Sequence, residues 1–240
     1  MRELRWDGSV NIRDLGGLPT SASPTGTTLE RRVARGPRRE LLTLTGWRAA
    51  RAWGRRTIVD LRTAEEVGPP RGDPTAAGSD GITVVHTPTE DHTNPAFREA
   101  CFPILDSPEY WEHNWEILPD LVRAALEAVA DARPGVLVHC RAGRDRTGMM
   151  AALLLANAGV PPEIVAEDYA ASVRAMAGVT HHGPTHDRQS AWDAQQVAAW
   201  LDHTVPLVVD AAANVDRALD VVGLSEPYRD RLRSLLTRPG

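Results

Sequence analysis

Residues 136–149 read VLVHCRAGRDRTGM, and they contain the side chains with the clearest capacity for chemistry. An apolar run ends at His139, Cys140 follows, and Arg146 and Thr147 then open an apolar, helix-like stretch. Backbone N–H groups of a glycine-containing loop that leads into a helix converge on an anion, and the helix dipole adds positive potential there. The same potential stabilises a thiolate, so the pattern predicts an ionised Cys140 at the base of an anion site.

The reactive side chains of this stretch suit the transfer of a phosphoryl group. A thiolate in such a cradle can displace the alcohol of a phosphomonoester, form a thiophosphate and release it to water. Arg146 can fork onto two phosphate oxygens in the transition state, and Thr147 can hydrogen-bond the sulfur as it leaves. We therefore predict Cys140 as nucleophile, Arg146 as phosphate clamp and Thr147 as the assisting hydroxyl, without a metal or any other cofactor.

The elements around this stretch predict an α/β fold. Short runs rich in β-branched residues, at 57–61, 82–86 and 136–139, predict strands. Strands that alternate with helices indicate a mostly parallel central sheet flanked by helices. Apolar residues recur at helical spacing over the rest of the chain, at 111–132, 147–157, 163–172, 191–203, 207–222 and 225–236. The sequence therefore predicts a sheet core followed by a helical C-terminal half.

Length and composition restrict the class of protein. The 240 residues, 42% hydrophobic and 25% charged, suit one domain over 1–240, with a sheet core at 1–160 and a helical part at 161–240. The net charge of −5 argues against nucleic-acid binding. No signal peptide is visible, the longest apolar stretch (149–156) is shorter than a membrane span, and two cysteines imply no disulfide framework. We expect a cytoplasmic protein without stable membrane insertion.

The loop resembles that of the protein tyrosine phosphatases, whose signature is Cys, five residues, Arg and then Ser or Thr. More narrowly, it is similar to the bacterial tyrosine and phosphoinositide phosphatases with HCxAGKDRTG, present here as HCRAGRDRTG at 139–148. Two further marks of that family are NxRDLGG, present at 11–17, and DLR followed by a Glu, present at 60–62 with Glu65 or Glu66. The C-terminal GLSEPYRDRLRSLL also resembles the family's closing helix.

The resemblance implies the cysteine-dependent phosphatase fold and a hydrolase that acts through a cysteinyl-phosphate intermediate, first of all on phosphotyrosine in proteins. An alternative substrate is a small metabolite such as a nucleotide, a sugar phosphate or a phosphoinositide. A phosphate-binding pseudoenzyme and sulfur transfer are alternatives of other classes. The arginine-rich run 30–40 is interpreted as a solvated, ion-paired surface, but it would favour a phosphoinositide if it faced the site.

The resemblance also assigns supporting roles. The predicted phosphate-binding residues of the loop are Arg141, Ala142, Gly143, Arg144, Asp145 and Arg146. Arg144 stands where the family usually has Lys. His139 would orient the loop, while Arg13 and Asp14 of the N-terminal motif would brace it.

A carboxylic acid must protonate the leaving oxygen. The candidates, in order, are Asp145, Asp60 and Asp91, with Asp106 as a further loop residue. The family equivalent of Asp145 has been considered a general acid or a loop organiser. Asp60 ends a predicted strand, and its alternative interpretation is an ion pair with Arg13 or Arg62.

Two other features have a structural and a functional interpretation. Cys101, beside Phe102 and Pro103, is predicted to be a small buried hydrophobe, with a resolving thiol for Cys140 as the alternative. The polar stretch 178–190 suggests a metal site, but its spacing matches no familiar one, and we predict that it covers the pocket. The residues that suggest the metal are His181, His182, His186 and Asp187.

Overall fold

The computed structural model describes residues 2–69, 73–74, 81–179 and 188–239. The cluster of His181, His182, His186 and Asp187 lies outside the described residues. The same is true of most of the stretch 178–190, so its role as a cover over the pocket stays a prediction.

In the described part of the chain, five short strands form a sheet that is parallel except at one edge. The strands are β1 (Arg13–Asp14), β2 (Val33–Gly36), β3 (Thr57–Asp60), β4 (Thr83–His86) and β5 (Val136–His139). Their order is β1-β2-β5-β3-β4, with β1 antiparallel to β2 and the other pairs parallel. The predicted mostly parallel sheet is confirmed.

The central strand β5 brings the reactive stretch to one edge of the sheet. All four of its residues are buried, as expected for an apolar strand that is covered on both faces. Gly36 at the end of β2 and Asp60 at the end of β3 both lie in register with His139. Three carboxyl ends therefore meet where the loop 139–148 leaves the sheet, which is the usual ligand-binding edge of an open α/β sheet.

The interpretation of the arginine-rich run 30–40 as a solvated surface is wrong for its central part. Residues 33–36 form β2, and all four are buried. Arg35 is 1% exposed because its guanidinium is paired inside the protein with Asp168, at 2.7 Å. The sequence pattern hides this strand, because a paired arginine can occupy a position that otherwise takes an apolar side chain.

Helices surround the sheet and make up the C-terminal half, as predicted. They are α1 (Leu44–Trp53), α2 (Pro95–Cys101), α3 (Tyr110–Ile117), α4 (Pro119–Asp131), α5 (Asp145–Asn157), α6 (Pro162–Met176), α7 (Ala194–Ala213), α8 (Val215–Val221) and α9 (Glu226–Thr237). Among the described residues, no helix combines the length and apolar character that a membrane crossing requires.

Two predicted helix boundaries are wrong, and a proline is involved in both. The stretch 111–132 is divided into α3 and α4 at Leu118 (φ −126°, ψ 48°), because Pro119 disfavours a helical conformation in the residue before it. The break expected near Pro206 is absent from α7, which continues to Ala213. Val208, in the following turn, is fully buried, so packing stabilises the helix despite the lost N–H donor.

The helix α5 connects the reactive loop to the C-terminal helices. Eleven of its thirteen residues are buried, which explains why its sequence is apolar on nearly every face. It packs against β5 and β2 of the sheet and against α6, α7, α8 and α9. The loop at its N-terminus is therefore fixed from the side of the sheet and from the side of the helices.

Candidate active site

The loop between β5 and α5 turns a backbone amide toward the sulfur of Cys140. Cys140 is 2% exposed, and the N–H of Gly143 donates to its Sγ at 3.3 Å. Gly143 has φ 70°, and a Cβ on it would lie 2.3 Å from the carbonyl carbon of Gly36. Only glycine fits this turn, because a side chain would meet both backbone strain and the end of β2.

The carbonyls of the loop are held from behind by residues of the N-terminal motif and of β2. Asn11 donates from Nδ2 to the carbonyl oxygens of Ala142 at 3.3 Å and Gly143 at 3.0 Å. Arg35 donates from Nη2 to the same Gly143 oxygen. Arg13 fixes Asn11, since its Nη1 donates to Oδ1 of Asn11 at 2.6 Å. Because the two ends of a trans peptide point in opposite directions, holding the Ala142 carbonyl directs the N–H of Gly143 toward the sulfur.

Asp168 of α6 is the common partner of these arginines, and the sequence did not indicate it. It is 2% exposed, and its carboxylate lies 2.7 Å from Nη1 of Arg35, 3.2 Å from Nε of Arg13 and 2.5 Å from Nη2 of Arg2. Burial disfavours a charged carboxylate, but the three guanidinium groups outweigh it and hold the pKa of Asp168 well below its usual range. We call Arg2, Arg13, Arg35 and Asp168 the arginine–Asp168 network.

Arg13 and Asp14 of the N-terminal motif, both predicted to brace the phosphate loop, have different partners. Arg13 reaches the loop through Asn11. Asp14 instead organises its own turn, because it accepts the N–H of Gly16 and the N–H of Arg31, each at 2.8 Å. Its second oxygen also accepts Nε1–H of Trp53 at 3.0 Å. Asp14 therefore supports the start of the sheet, and no bond from its side chain to the phosphate loop is seen within the described residues.

Arg146, in the first turn of α5, is held by two carboxylates. Its Nη1 and Nη2 donate to both oxygens of Glu66, the second at 2.8 Å, and Nη1 lies 3.6 Å from Oε2 of Glu90. Burial alone would disfavour the charged guanidinium, but Glu90 and Glu66 raise the pKa of Arg146 well above its usual value. Glu66, not the exposed Glu65, is thus the acidic residue that follows DLR in this site.

His139 and Thr147 lie on either side of the nucleophile in the chain. Nδ1 of His139 is 2.9 Å from the carbonyl oxygen of Cys140, which can only accept, so we assign the ring proton to Nδ1. Burial lowers the pKa of His139 to about 4, and the imidazole is neutral at pH 7. Within the described residues, Oγ1 of Thr147 is buried and has no hydrogen-bond partner. A hydrogen bond from this hydroxyl to the sulfur is not formed in the structure, so the role of Thr147 stays a prediction.

The other charged residues of the loop differ in their environment. Arg144 is 1% exposed, and its Nε and Nη2 donate to the two carboxylate oxygens of Asp145 at 2.9 and 3.2 Å. Arg141 is half-buried and lines a cavity of about 650 Å³ together with Glu66. Arginine in place of the usual Lys at position 144 therefore supplies a planar fork for a carboxylate.

A family model described as the tyrosine phosphatase family matches residues 4–237. This chain belongs to the tyrosine phosphatase family. The resemblance that its three motifs indicate is therefore confirmed.

Two further similarities cover different parts of this tyrosine phosphatase-family protein. A segment of 57 residues is 51% identical to a protein named tyrosine-protein phosphatase from Nostoc commune. That segment is 23% of this chain and spans only 19% of that relative. The core catalytic domain of the PP-IP phosphatase SIW14 from S. cerevisiae, crystallised with citrate, gives a TM-score of 0.39 at 13% identity. This match covers 84% of this chain and 96% of that one.

In this phosphatase-family site, the carboxylate of Asp60 is hydrogen-bonded to two arginines. Arg62 donates from Nε to Oδ1 at 2.9 Å and from Nη2 to Oδ2 at 2.7 Å, and Arg39 donates from Nη1 to Oδ2 at 3.0 Å. Despite its burial, which acts in the opposite direction, the bonds from Arg62 lower the pKa of Asp60 to about 2. These contacts favour the ion pair with Arg62 over the role of proton donor.

The loop aspartates have different partners. Asp91 lines the same cavity as Arg141, and its Oδ1 accepts from Oγ1 and N–H of Thr93 at 2.7 and 2.9 Å, which lowers the pKa of Asp91. Asp106 accepts Nε–H of Arg188 at 2.8 Å. Asp91 is therefore disfavoured as a proton donor, and Asp106 is bound to Arg188.

Cys101 is fully buried in the core cluster around α2 to α6, as predicted for a small hydrophobe. Burial raises the pKa of the Cys101 thiol to about 12, with a further contribution from Glu90. Both cysteines are free thiols. The alternative of a resolving thiol stays untested, and the raised pKa does not favour it because exchange requires a thiolate.

We predict that Asp168→Asn lowers the kcat of this protein on a phosphomonoester by about 10–100-fold, the range seen when a residue that orients a catalytic group is lost. The three arginines would lose their shared counter-charge, and Arg35 could move away from the Gly143 carbonyl. Steady-state kinetics on folded protein measures the effect. Asp216→Asn, on the exposed side of α8, is the matched control and should keep the wild-type rate. A wild-type kcat in folded Asp168→Asn would show that the network does not position the loop.

Proposed function

We propose that this protein hydrolyses phosphomonoesters through a cysteinyl-phosphate intermediate, and that its substrate is phosphotyrosine in proteins. The observation that carries the proposal is the position of Sγ of Cys140, which accepts an amide N–H at the N-terminus of α5. Arg146, in the first turn of the same helix, supplies a guanidinium whose charge is balanced by two carboxylates. Membership of the tyrosine phosphatase family supports the same reaction.

The proposed reaction has two steps. The thiolate of Cys140 attacks phosphorus, the S–P bond forms, and the P–O bond to the tyrosine breaks. Arg146 binds two non-bridging oxygens and the loop amides bind the remaining charge, which is greatest in the transition state. Water then attacks phosphorus, the S–P bond breaks, and phosphate leaves. The hydroxyl of Thr147 stabilises the returning thiolate by a hydrogen bond.

The arginine-rich run 30–40 does not support a phosphoinositide substrate. A polyanionic head group would need unpaired cations beside the loop. Arg35 is buried in the arginine–Asp168 network, Arg38 pairs with Asp73, and Arg39 pairs with Asp60 at 3.0 Å. Their charges are therefore largely neutralised within the protein.

The cavity beside the loop supports an ester with a neutral leaving group. Its volume is about 650 Å³, and Arg141 is its basic residue among the described side chains. Its acidic residues are Glu65, Glu66, Glu90 and Asp91. Additional phosphates on the substrate would face these carboxylates, whereas the ring of a tyrosine carries no charge there. This charge pattern favours phosphotyrosine over a polyphosphorylated metabolite.

The proposal is tested by a single-turnover reaction with a phosphotyrosine peptide, quenched in acid and followed by mass spectrometry. We expect release of phosphate, transient phosphate on Cys140, and inhibition by vanadate. Binding of the peptide without turnover would indicate a pseudoenzyme and contradict the proposal. A persulfide on Cys140 would instead indicate sulfur transfer. If the protein hydrolyses a phosphorylated metabolite but not the peptide, the proposed reaction stands and the proposed phosphotyrosine substrate is wrong.

We also propose that residues 1–160 and 161–240 act as one phosphatase domain. The packing of α5 against both the sheet and the C-terminal helices supports this, because the phosphate loop depends on both halves. Asp168 supplies a second link, since it belongs to the C-terminal half and pairs with arginines of the N-terminal half. We propose in addition that the protein is cytoplasmic.

A further inference from the structure

The carboxylates predicted as proton donors accept hydrogen bonds that favour their charged form. A general acid works best when its pKa lies near the operating pH. Asp60 has a pKa of about 2, that of Asp91 is lowered, and Asp145 accepts both bonds of the Arg144 fork. Glu66 is also unsuitable, since Arg146 lowers its pKa to about 2 in spite of burial. The leaving oxygen therefore needs another proton source.

A glutamate–histidine pair lies beside the phosphate clamp. Nε2 of His92 is 2.9 Å from Oε2 of Glu90, and the same Glu90 oxygen is 3.6 Å from Nη1 of Arg146. Both residues line the cavity that contains Arg141 of the phosphate loop. Glu90 is 5% exposed, so the pair is largely shielded from water. Glu90 is thus next to the guanidinium group of Arg146, which would itself contact the bound phosphate.

The imidazole of His92 is fixed by aromatic packing. Its ring stacks on Phe97 with centroids 6.1 Å apart and meets the edge of Phe102 at 5.4 Å. The charged residues that line the cavity around the pair are Glu65, Glu66, Asp91 and Arg141. Arg146 lies 3.6 Å from Glu90, and Arg98 of α2 donates to the His92 carbonyl at 3.5 Å. A fixed ring that shares a proton with a carboxylate is an arrangement used for general acid–base catalysis.

We propose that the Glu90–His92 pair donates the proton to the leaving oxygen. As Sγ of Cys140 forms its bond to phosphorus and the P–O bond breaks, the proton held between His92 and Glu90 passes to the departing phenolate. In the second step the pair accepts a proton from the attacking water, and the S–P electrons return to sulfur. Imidazole suits both directions, because one ring nitrogen can donate a proton in the first step and accept one in the second.

This inference rests on the proposed phosphatase activity, and the test separates the two. The kcat of wild type and His92→Gln is measured on aryl phosphates whose leaving phenols range from strongly to weakly acidic. We expect His92→Gln to lose about 10²-fold on phosphotyrosine and no more than about threefold on dinitrophenyl phosphate, whose leaving group needs no proton. Full activity on dinitrophenyl phosphate shows that the variant is folded.

The surface provides a matched control for this substitution. His203 of α7 pairs with Glu109 at the same 2.9 Å, but His203 is exposed and Glu109 half-buried, and neither contacts the phosphate loop within the described residues. His203→Gln should therefore keep the wild-type dependence on the leaving group. An equal loss on every ester in His92→Gln, or a steeper dependence in Asp91→Asn or Asp145→Asn instead, would overturn the role of the pair. Absence of wild-type turnover would overturn the phosphatase proposal itself.

Discussion

Cys140→Ser is expected to lower kcat on aryl phosphates by at least about 10⁴-fold, because a serine hydroxyl at this position has no base to activate it. The sulfur accepts the N–H of Gly143 beside the N-terminus of α5, so it stands where a phosphoryl group would bind. A serine would still fit the loop, since the substitution replaces one small side chain by another. The variant should therefore bind a phosphotyrosine peptide in calorimetry while failing to hydrolyse it.

The second cysteine provides the control for this experiment. Cys101→Ala removes a fully buried thiol outside the loop 139–148, so a modest loss of stability and little change of kcat are expected. Comparable loss of activity in both variants would show that the effect of Cys140→Ser is structural and not chemical. Residual turnover in Cys140→Ser within about tenfold of wild type would contradict the nucleophilic role.

The phosphate loop could be predicted because its reactive residues are close in sequence. Cys140, Gly143, Arg146 and Thr147 lie on one short segment, and the strand before them and the helix after them fix their relative positions. Local pattern is then enough to infer the geometry. The strands β3, β4 and β5 could be predicted from the same short-range signals, since each is a compact β-branched or apolar run.

The support behind the loop could not be predicted, because its residues meet only in three dimensions. Asp168 is more than 130 residues distant in sequence from each of the arginines that it binds. In the sequence it is simply one polar residue in a helical pattern. A charged residue within the buried face of α6 was a possible signal, but its partners could not be identified without the fold. The buried strand β2 was missed for the same reason, since Arg35 requires that partner.

The charge and the shape of Arg146 can be separated by two substitutions. Arg146→Lys keeps a cation between Glu66 and Glu90 but cannot form two parallel bonds to phosphate, so kcat/KM should fall by about 10³-fold with little change in stability. Arg146→Ala also leaves the two buried carboxylates without their cation, which should lower the free energy of unfolding by about 3 kcal/mol. Kinetics on an aryl phosphate and urea unfolding measure the two effects.

The expected pattern is that both variants lose activity, whereas only the alanine variant loses stability. Arg174→Lys is the matched control, because this exposed arginine of α6 pairs with Glu167 at 2.7 Å and should tolerate the change without effect. Near wild-type kcat/KM in Arg146→Lys would show that a point charge is sufficient at this position and that the fork is not needed. Unchanged stability in Arg146→Ala would mean that Glu66 and Glu90 take up protons or water when the guanidinium is gone. In that case the carboxylates serve mainly to aim Arg146 at the phosphate, and Glu66→Gln should then impair kcat more than it impairs folding.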